Sequence, residues 1–532
     1  MKKIKFHFTC FFLCLLSLTV QAQFKQIAEG NTFEEPEDGF GKILQLQNGN
    51  TFYLHISIRD GINIKIYNSA HKEQKVTTVS PSYGELEKRD KISAVFEINN
   101  DVVLFVTHYD DNTPTLRRLI IDGATGKLKK EKIIAAYLSE RKAFIGFTSR
   151  FIVRKDQYSD NYAVANFDFM ERDKAKRIEI IHFGTDHNEI SRKFCITPEE
   201  EKARSEFIDL IVMGSEKVSI FLSIPRPGNN LINVMATLEK GAGSFEFTEL
   251  KILGHSFIQW GLAKYNPISK KIFFLAIVSS EKNGVYLNSL YAIDPILKST
   301  ETISDLSFNE KLHEAYNNTF DSKKGYRGMP QDLIINDDGS FTLLYEEIMF
   351  IAKDNGNGTQ LGQIAVSNYD KNGTLNSNYF VLKSNWVYNT QLNPLYISKR
   401  DATAQELFKG NQYKSFVYIS GIKNKYILFN DTERNNDITD EKLMRNEGGL
   451  ERGKIVMVQG ITGGCDAFMY KLTGNDVIPK REYAFGKKEH GNTLSVFTIA
   501  NYDKKTNTYV TLKLDKESMK DKMVKLVWEE VE

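Results

Sequence analysis

The sequence predicts an all-β chain, a single β-propeller of four-stranded blades. Three observations predict it. The first is the stretch Ile92–Ile134. ISAVFEI (Ile92–Ile98) alternates, VVLFV (Val102–Val106) is unbroken apolar, LRRLIID (Leu116–Asp122) follows, and KLKKEKII (Lys127–Ile134) is mostly charged. Strands covered on both faces read as continuous apolar runs, whereas an outermost strand meets water. The second observation is recurrence. Turns between third and fourth strands fall near Ser69, Gly123, Thr185, Gly241, Pro295, Asn372 and Gly474, in steps of 54, 62, 56, 54, 77 and 102 residues. The first four steps are nearly even and the last two are stretched by insertions, the mark of a repeat architecture. The third is composition: Tyr (24) and Phe (35) far exceed Trp (3), which favours strands.

The first unit is KILQLQ (Lys42–Gln47), the turn Asn48-Gly49-Asn50, TFYLHISI and INIKIYN (Ile62–Asn68). Asn-Gly between alternating runs is a hairpin signal. Ile92–Ile134 is the second unit. The third has NYAVANFDF (Asn161–Phe169), RIEIIHF (Arg177–Phe183) and the turn Gly184-Thr185-Asp186. PEEEKARSEF (Pro198–Phe207) reads as a short helix, with Pro first and acids in the first turn. The fourth unit is FIDLIVM, VSIFLSI, LINVMATL and SFEFTEL, with Pro225 and Pro227 between strands. The fifth is FIQWGLAKYN, KIFFLAIV, LNSLYAID and KSTETI, followed by a helix-like NEKLHEAY (Asn309–Tyr316).

DLIINDDGSFTLLYEE and LGQIAVSNYDKNGTLNSNYFVL make the sixth unit. The seventh has SFVYISGIKNKYILFND, a charged surface insertion (Thr432–Arg452), KIVMVQG and DAFMYKLTGNDVIPKREY. The chain ends on three strands, in LSVFTIANYDKKTNTYVTLKL and VKLVWEE, without a fourth. Phe24–Ile27 is available to close that blade and remove an exposed edge. Seven units plus the incomplete last give eight blades, with seven the alternative because the third and seventh units are irregular. Two β-sandwich domains are the competing architecture.

Residues 1–22 read as a secretory signal peptide. Lys2, Lys3 and Lys5 precede an apolar run from Phe11 to Val20, and Val20-Gln21-Ala22 suits cleavage before Gln23. The run is too short for a spanning helix, and no later stretch is long and apolar enough. The reading is thus an exported protein, periplasmic or extracellular, with residues 23–532 as one propeller domain. The formal charge of +2 becomes −1 without the three leader lysines. So balanced a chain lacks the basic field that nucleic acid requires. The mature chain keeps Cys195 and Cys465, either one disulfide or two buried thiols.

RLIIDGATGKLKKEKI, DLIINDDGSFTLLYEE, LGQIAVSNYDKNGTL and YILFND together resemble a group of exported β-propeller-like proteins of Bacteroidota. In that group a DGG/DGS-apolar-E strand precedes a dI-V-lD-G strand and later an FND strand, the order found here. The resemblance covers most of the mature chain, best between Asp332 and Asp431. Its motifs are structural, so it implies fold and export and transfers no active site.

Candidate binding residues are Glu346, Asn430 and Asp431. Glu346 and Glu347 are adjacent on a strand, so they point to opposite faces and cannot pair as acid and base. Glu346 is the better candidate for the channel mouth, because the resembling group has a carboxylate there; the plainer reading is a carboxylate that stabilises the fold by binding backbone N–H groups. Asn430 and Asp431 end the FND strand, suited to a cation or sugar hydroxyl, or to turn chemistry. Asp337-Asp338-Gly339 lacks the further ligands of a calcium loop and reads as a hairpin turn. His182 and His187 in HFGTDH read as surface turn histidines without a third metal ligand. Cys465 has no local base to activate it. Neither a metal nor a cofactor is called for, and no catalytic motif occurs.

These observations point to a non-enzymatic binding or scaffold protein of the bacterial cell envelope, monomeric, with an envelope protein or glycan as ligand. Loops on a rigid ring are where recognition sits. The alternative is a propeller-type glycan hydrolase or lyase with carboxylates at the channel mouth, which requires two acids about 5 to 9 Å apart for glycoside cleavage.

Overall fold

The computed structural model describes residues 24–531, apart from 138–149, 169–170, 198–204, 227–229, 253–256, 280–285, 305–306, 321–322, 324, 353–356, 401, 408–409, 436–456, 459–463, 475–476, 487–492 and 516–522. Eight antiparallel sheets, one per blade, form a ring. Blade 2 shows how sequence becomes sheet. Its strands Lys91–Ile98, Asp101–Asp110, Thr113–Ile121 and Leu128–Ala136 pair in sequence order. Val102, Val103, Leu104, Phe105 and Val106 are fully buried, because the second strand is covered on both faces, whereas the fourth strand exposes Lys129, Lys130, Lys132 and Ile133. The first strands of successive blades lie nearest the axis. They are Phe40–Gln45, Lys91–Ile98, Arg150–Lys155, Glu206–Met213, Ile258–Asn266, Met329–Ile335, Phe416–Ser420 and Thr493–Ser495.

The ring is closed by the chain's two ends. Phe24–Glu29 lies against Met523–Val531, with Phe24 opposite Val531, and is the fourth strand of blade 8. Phe24 packs on Tyr426 and Tyr509, ring centroids 5.0 and 6.0 Å away, so it also ties blade 8 to blade 7. Trp528 is fully buried and donates from Nε1 to Thr51 Oγ1 at 3.0 Å, joining blade 8 to blade 1.

Several local expectations meet their residues here. The helix-like stretch is the helix Ser307–Phe320. Its Leu312, Tyr316 and Phe320, spaced four apart on one face, are buried beside Phe380 of blade 6. Gly339 has φ +82°, and its N–H donates to Asn336 O at 3.0 Å, which makes Asp337-Asp338-Gly339 a hairpin turn. Cys195 and Cys465 are both buried and are not joined in a disulfide. Pro225 is inside the strand Lys217–Arg226 rather than between strands; the first strand of blade 4 stops opposite Ser223, so no ladder partner on that side loses a donor. Met457 and Val458 are the described residues of KIVMVQG, and Val458 bridges Asn385 instead of joining blade 7. The leader (1–22), residues 198–204 of the proposed short helix and residues 436–452 of the charged insertion lie outside the described residues.

His182 and His187 differ from their reading as surface turn residues. His182 lies on the strand Ile178–Phe183, almost wholly buried, with Nε2 3.0 Å from Gly214 O. His187 is in the turn but leans on Tyr162 OH at 3.2 Å. Burial, with the neighbouring Arg118 cation, pushes His187 down to about 4. The apolar strand carries His182 inward, and Arg118 Nη1 holds the His187 turn by donating to His187 O at 3.1 Å.

Glu529 of blade 8 is buried, and burial pushes its carboxyl up to about 8. Folding therefore favours its protonated form, so its contribution is largest below the ordinary carboxylate range and is lost as pH rises through about 8. Glu529→Gln is expected to raise stability at pH 7 by roughly 2–3 kcal/mol. In chemical denaturation the gain shrinks toward zero below pH 4; a gain independent of pH would contradict the assignment.

Candidate ligand cavity at the hub

Between Val381 and Phe416 the chain leaves the blade pattern. Asn385–Tyr388 first adds a strand to blade 6 by pairing with Gly358–Leu361. The following residues then cross the hub. Leu395 N–H donates to Pro330 O of blade 6 at 3.0 Å, and Val95 N–H of blade 2 donates to Ala402 O at 2.9 Å. Lys42 Nζ of blade 1 donates to Arg400 O at 2.7 Å, and Gln405–Glu406 pairs with Phe40 and Gly41 of the same blade. Arg400 in turn donates to Ser415 Oγ and Phe416 O, at 2.9 and 2.7 Å, where blade 7 begins. Thr498 of blade 8 donates to Gln412 O at 3.3 Å. This strap thus binds blades 6, 2, 1, 7 and 8, and its short helix Tyr396–Arg400 packs on the first strand of blade 6.

The strap leaves one sector of the hub open. A cavity of about 660 Å³ lies between the first strands of blades 3, 4 and 5 on one side and Asn393–Ala402 on the other. That volume suits a small organic molecule. Ile152, Ile208, Leu210 and Leu262 supply apolar wall, and Trp260 a half-buried ring.

The polar groups of the wall come from neighbouring blades. Arg154 Nη2 reaches Asp209 Oδ1 at 3.3 Å, and Asp209 Oδ2 accepts the Ala263 N–H at 2.9 Å, which links blades 3, 4 and 5. Lys264 points toward Asp332 of blade 6, 4.0 Å away. Asp156, buried in the first turn of blade 3, accepts from Tyr158 N and Gly214 N at 3.2 and 3.0 Å, and from Ser159 Oγ at 2.5 Å. Both carboxylates of the wall are therefore engaged on each oxygen. Arg154, Lys155, Lys264 and Lys399 line the same space.

The three residues singled out in the sequence sit elsewhere, behind the strap. Glu346 is fully buried; Oε1 accepts from Lys383 Nζ and Oε2 from Tyr396 OH, each at 2.5 Å. Its partners are side chains rather than the backbone N–H groups of the plainer reading. Burial lowers the Lys383 ammonium from its usual range, against the raising effect of Glu346, and raises the Tyr396 phenol well above its own. Asn430 donates to Tyr413 O and Ser495 O at 2.9 and 2.7 Å, and its Oδ1 accepts from Ser495 N. Asp431 accepts from Thr432 N at 2.8 Å and pairs with Arg481 at 3.1 Å; burial pushes it up to about 6. Both lie within the strand Lys425–Thr432; Asn430 spans blades 7 and 8, whereas Asp431 keeps a bond to its adjacent backbone, the Thr432 N–H, and one from Asn435 Nδ2. Glu346 and Asp431 are joined electrostatically through Lys383, which feels both.

Sequence reasoning passed over the strap and the cavity residues. The available signals were the 102-residue step between turns and single charges inside apolar first strands, in FIVRK, FIDLIVM and GLAKYN. One exposed group with metal-ligand spacing also went unread: Asp38, His55 and Asp60 place ligand atoms within 4.8 Å of one another. Asp60 there is already held by Ser57 and Arg59.

Fold and hub together define an eight-bladed β-propeller with a strapped channel. No protein-family model matches the chain, and no curated protein matches it. Among solved structures it is similar to one described as the Dos1 propeller, at 11% identity, over 95% of this chain and 94% of that one, with a TM-score of 0.43. It is also similar to a polysaccharide lyase described as an ulvan lyase (9%, 66% and 88%, 0.36) and to a protein of unknown function from Bacteroides caccae (6%, 65% and 83%, 0.26). Likenesses at these values carry no statement about activity.

Proposed function

We propose that this chain is a non-enzymatic binding protein, exported to the cell envelope of a bacterium of the Bacteroidota kind, that holds a small ligand in the hub cavity. The observation that carries the reading is the state of the two wall carboxylates. Asp156 and Asp209 spend their oxygens on protein donors, so neither is placed as a general acid or base, while the cavity has the size and mixed wall of a ligand site. Export is supported by the leader pattern in residues 1–22.

The test is native mass spectrometry of protein recovered from the envelope or medium of expressing cells. A chain beginning at Gln23 with a bound small molecule is expected. Ala402→Trp, which fills the cavity from the strap side, is expected to be recovered without that molecule. The reading fails if Ala402→Trp retains it, or if purified protein releases new ends from envelope polysaccharide.

A further inference from the structure

We infer that the hub cavity selects an uncharged polyhydroxyl ring, a neutral mono- or disaccharide. This deepens the binding-protein reading and rests on it. The charges of the wall are matched within the protein. Arg154 pairs with Asp209 at 3.3 Å, Lys155 with Asp160 at 2.8 Å and Lys264 with Asp332 at 4.0 Å. Lys399 is engaged within the protein as well. Asp156 is held by two backbone N–H groups and the Ser159 hydroxyl, and Asp209 also accepts the Ala263 N–H. A ligand carboxylate or ammonium entering here would leave water and meet no free counter-charge, which is costly. The wall therefore disfavours ionised ligands of either sign.

Three carboxamides supply uncharged polarity in the same wall. Gln157 belongs to the first turn of blade 3, Gln259 to the first strand of blade 5 and Asn393 to the strap. All three are exposed, and their side chains hydrogen-bond no other described residue. A carboxamide donates at one end and accepts at the other, and a hydroxyl does both. Hydroxyls set around a ring can therefore meet the three amides whichever way each is turned. A hydrocarbon ligand would strip water from the same amides and return nothing.

Between the amides the wall is apolar. Ile208, Leu210 and Leu262 lie there with the half-buried Trp260. A pyranose carries hydroxyls at its rim and C–H groups on its faces. Its faces suit the aliphatic and indole surface, and its rim suits the carboxamides. The strap forms one side of the cavity, and its volume of about 660 Å³ suits a ligand of small-molecule size.

The experiment is isothermal titration of the full mature chain with matched probes: glucose, galactose, mannose and cellobiose, each beside its uronate and its amino-sugar form, and cyclohexanol as a ring without the hydroxyl set. At least one neutral sugar is expected to bind ten-fold or more tightly than both charged forms and than cyclohexanol, with affinity unchanged as salt rises. Gln259→Ala and Asn393→Ala, at exposed positions, are each expected to weaken that sugar several-fold with an unchanged melting temperature. Trp260 also packs on the core between blades 5 and 6, so Trp260→Phe, which keeps a ring there, is the third variant, again with several-fold weaker binding. A charged form that binds as well as its neutral parent, or sugar binding untouched by all three substitutions, would overturn the sugar assignment and leave a binding protein. Failure of every probe while native mass spectrometry still finds a small molecule, lost in Ala402→Trp, would do the same. Failure of both measurements to find a ligand would overturn the binding-protein reading as well.

Discussion

Glu346→Ala is expected to destabilise the protein by about 3–5 kcal/mol, the usual cost of leaving one partner of a buried ion pair alone. Glu346 and Lys383 are both fully excluded from water, 2.5 Å apart, so the substitution strands an ammonium in the interior. It also removes the nearer partner of the Tyr396 hydroxyl, leaving Ser415 Oγ at 3.3 Å, and Tyr396 belongs to the strap helix. The effect should therefore appear twice. The denaturation midpoint falls, and the strap between Asn389 and Glu406 becomes an early site of limited proteolysis. The double substitution Glu346→Leu with Lys383→Met separates charge from shape. Removing both charges is often neutral or stabilising when the volume is kept, so most of the midpoint should return. A single substitution that costs under 1 kcal/mol would show that Lys383 has another home.

Removing Phe24–Glu29 is expected to have the other large effect. Without that strand, Val527–Val531 presents an unpaired edge, and such edges recruit other chains. Size-exclusion chromatography should show larger species than the intact chain gives, with a lower melting temperature. Phe24→Ala keeps the strand but empties its anchor between Tyr426 and Tyr509, at about 3–5 kcal/mol, typical for a buried Phe. A synthetic peptide spanning Phe24–Gly30 added to the truncated chain should restore the elution of the intact chain. A truncated chain that elutes and melts like the intact one would mean that blade 8 is complete without its N-terminal strand.

The ring was legible in the sequence because blades are local. Ile92–Ile134 carries its own strands, turns and inside-to-outside gradient, and the same code recurs along the chain. Closure was legible too, since a last unit with three strands and a lone Phe24–Ile27 have one simple solution. The site was not. Arg154, Asp209 and Lys264 are separated by some fifty residues each, and only closure of the ring brings them to one volume. The strap has neither period two nor a long helical stripe, so its stretch read as spacing between blades. Glu346 stood out for good reason, as an acid at the end of an apolar strand. Nothing in the local sequence says that its partners are Lys383 and Tyr396, on the far side of two turns.

The strap has a mechanical consequence. A bare ring can go oval, with opposite rims drifting apart while every neighbour contact survives. Here a spoke runs from Pro330 to Val95, hydrogen-bonded at both ends. Blades 2 and 6 cannot separate without breaking those bonds, and the ring is held round along that diameter. Among the described residues the strap makes no backbone hydrogen bond to blades 3 to 5, and that sector is held by bonds between its own blades, such as Tyr158 OH to Tyr265 O at 3.3 Å.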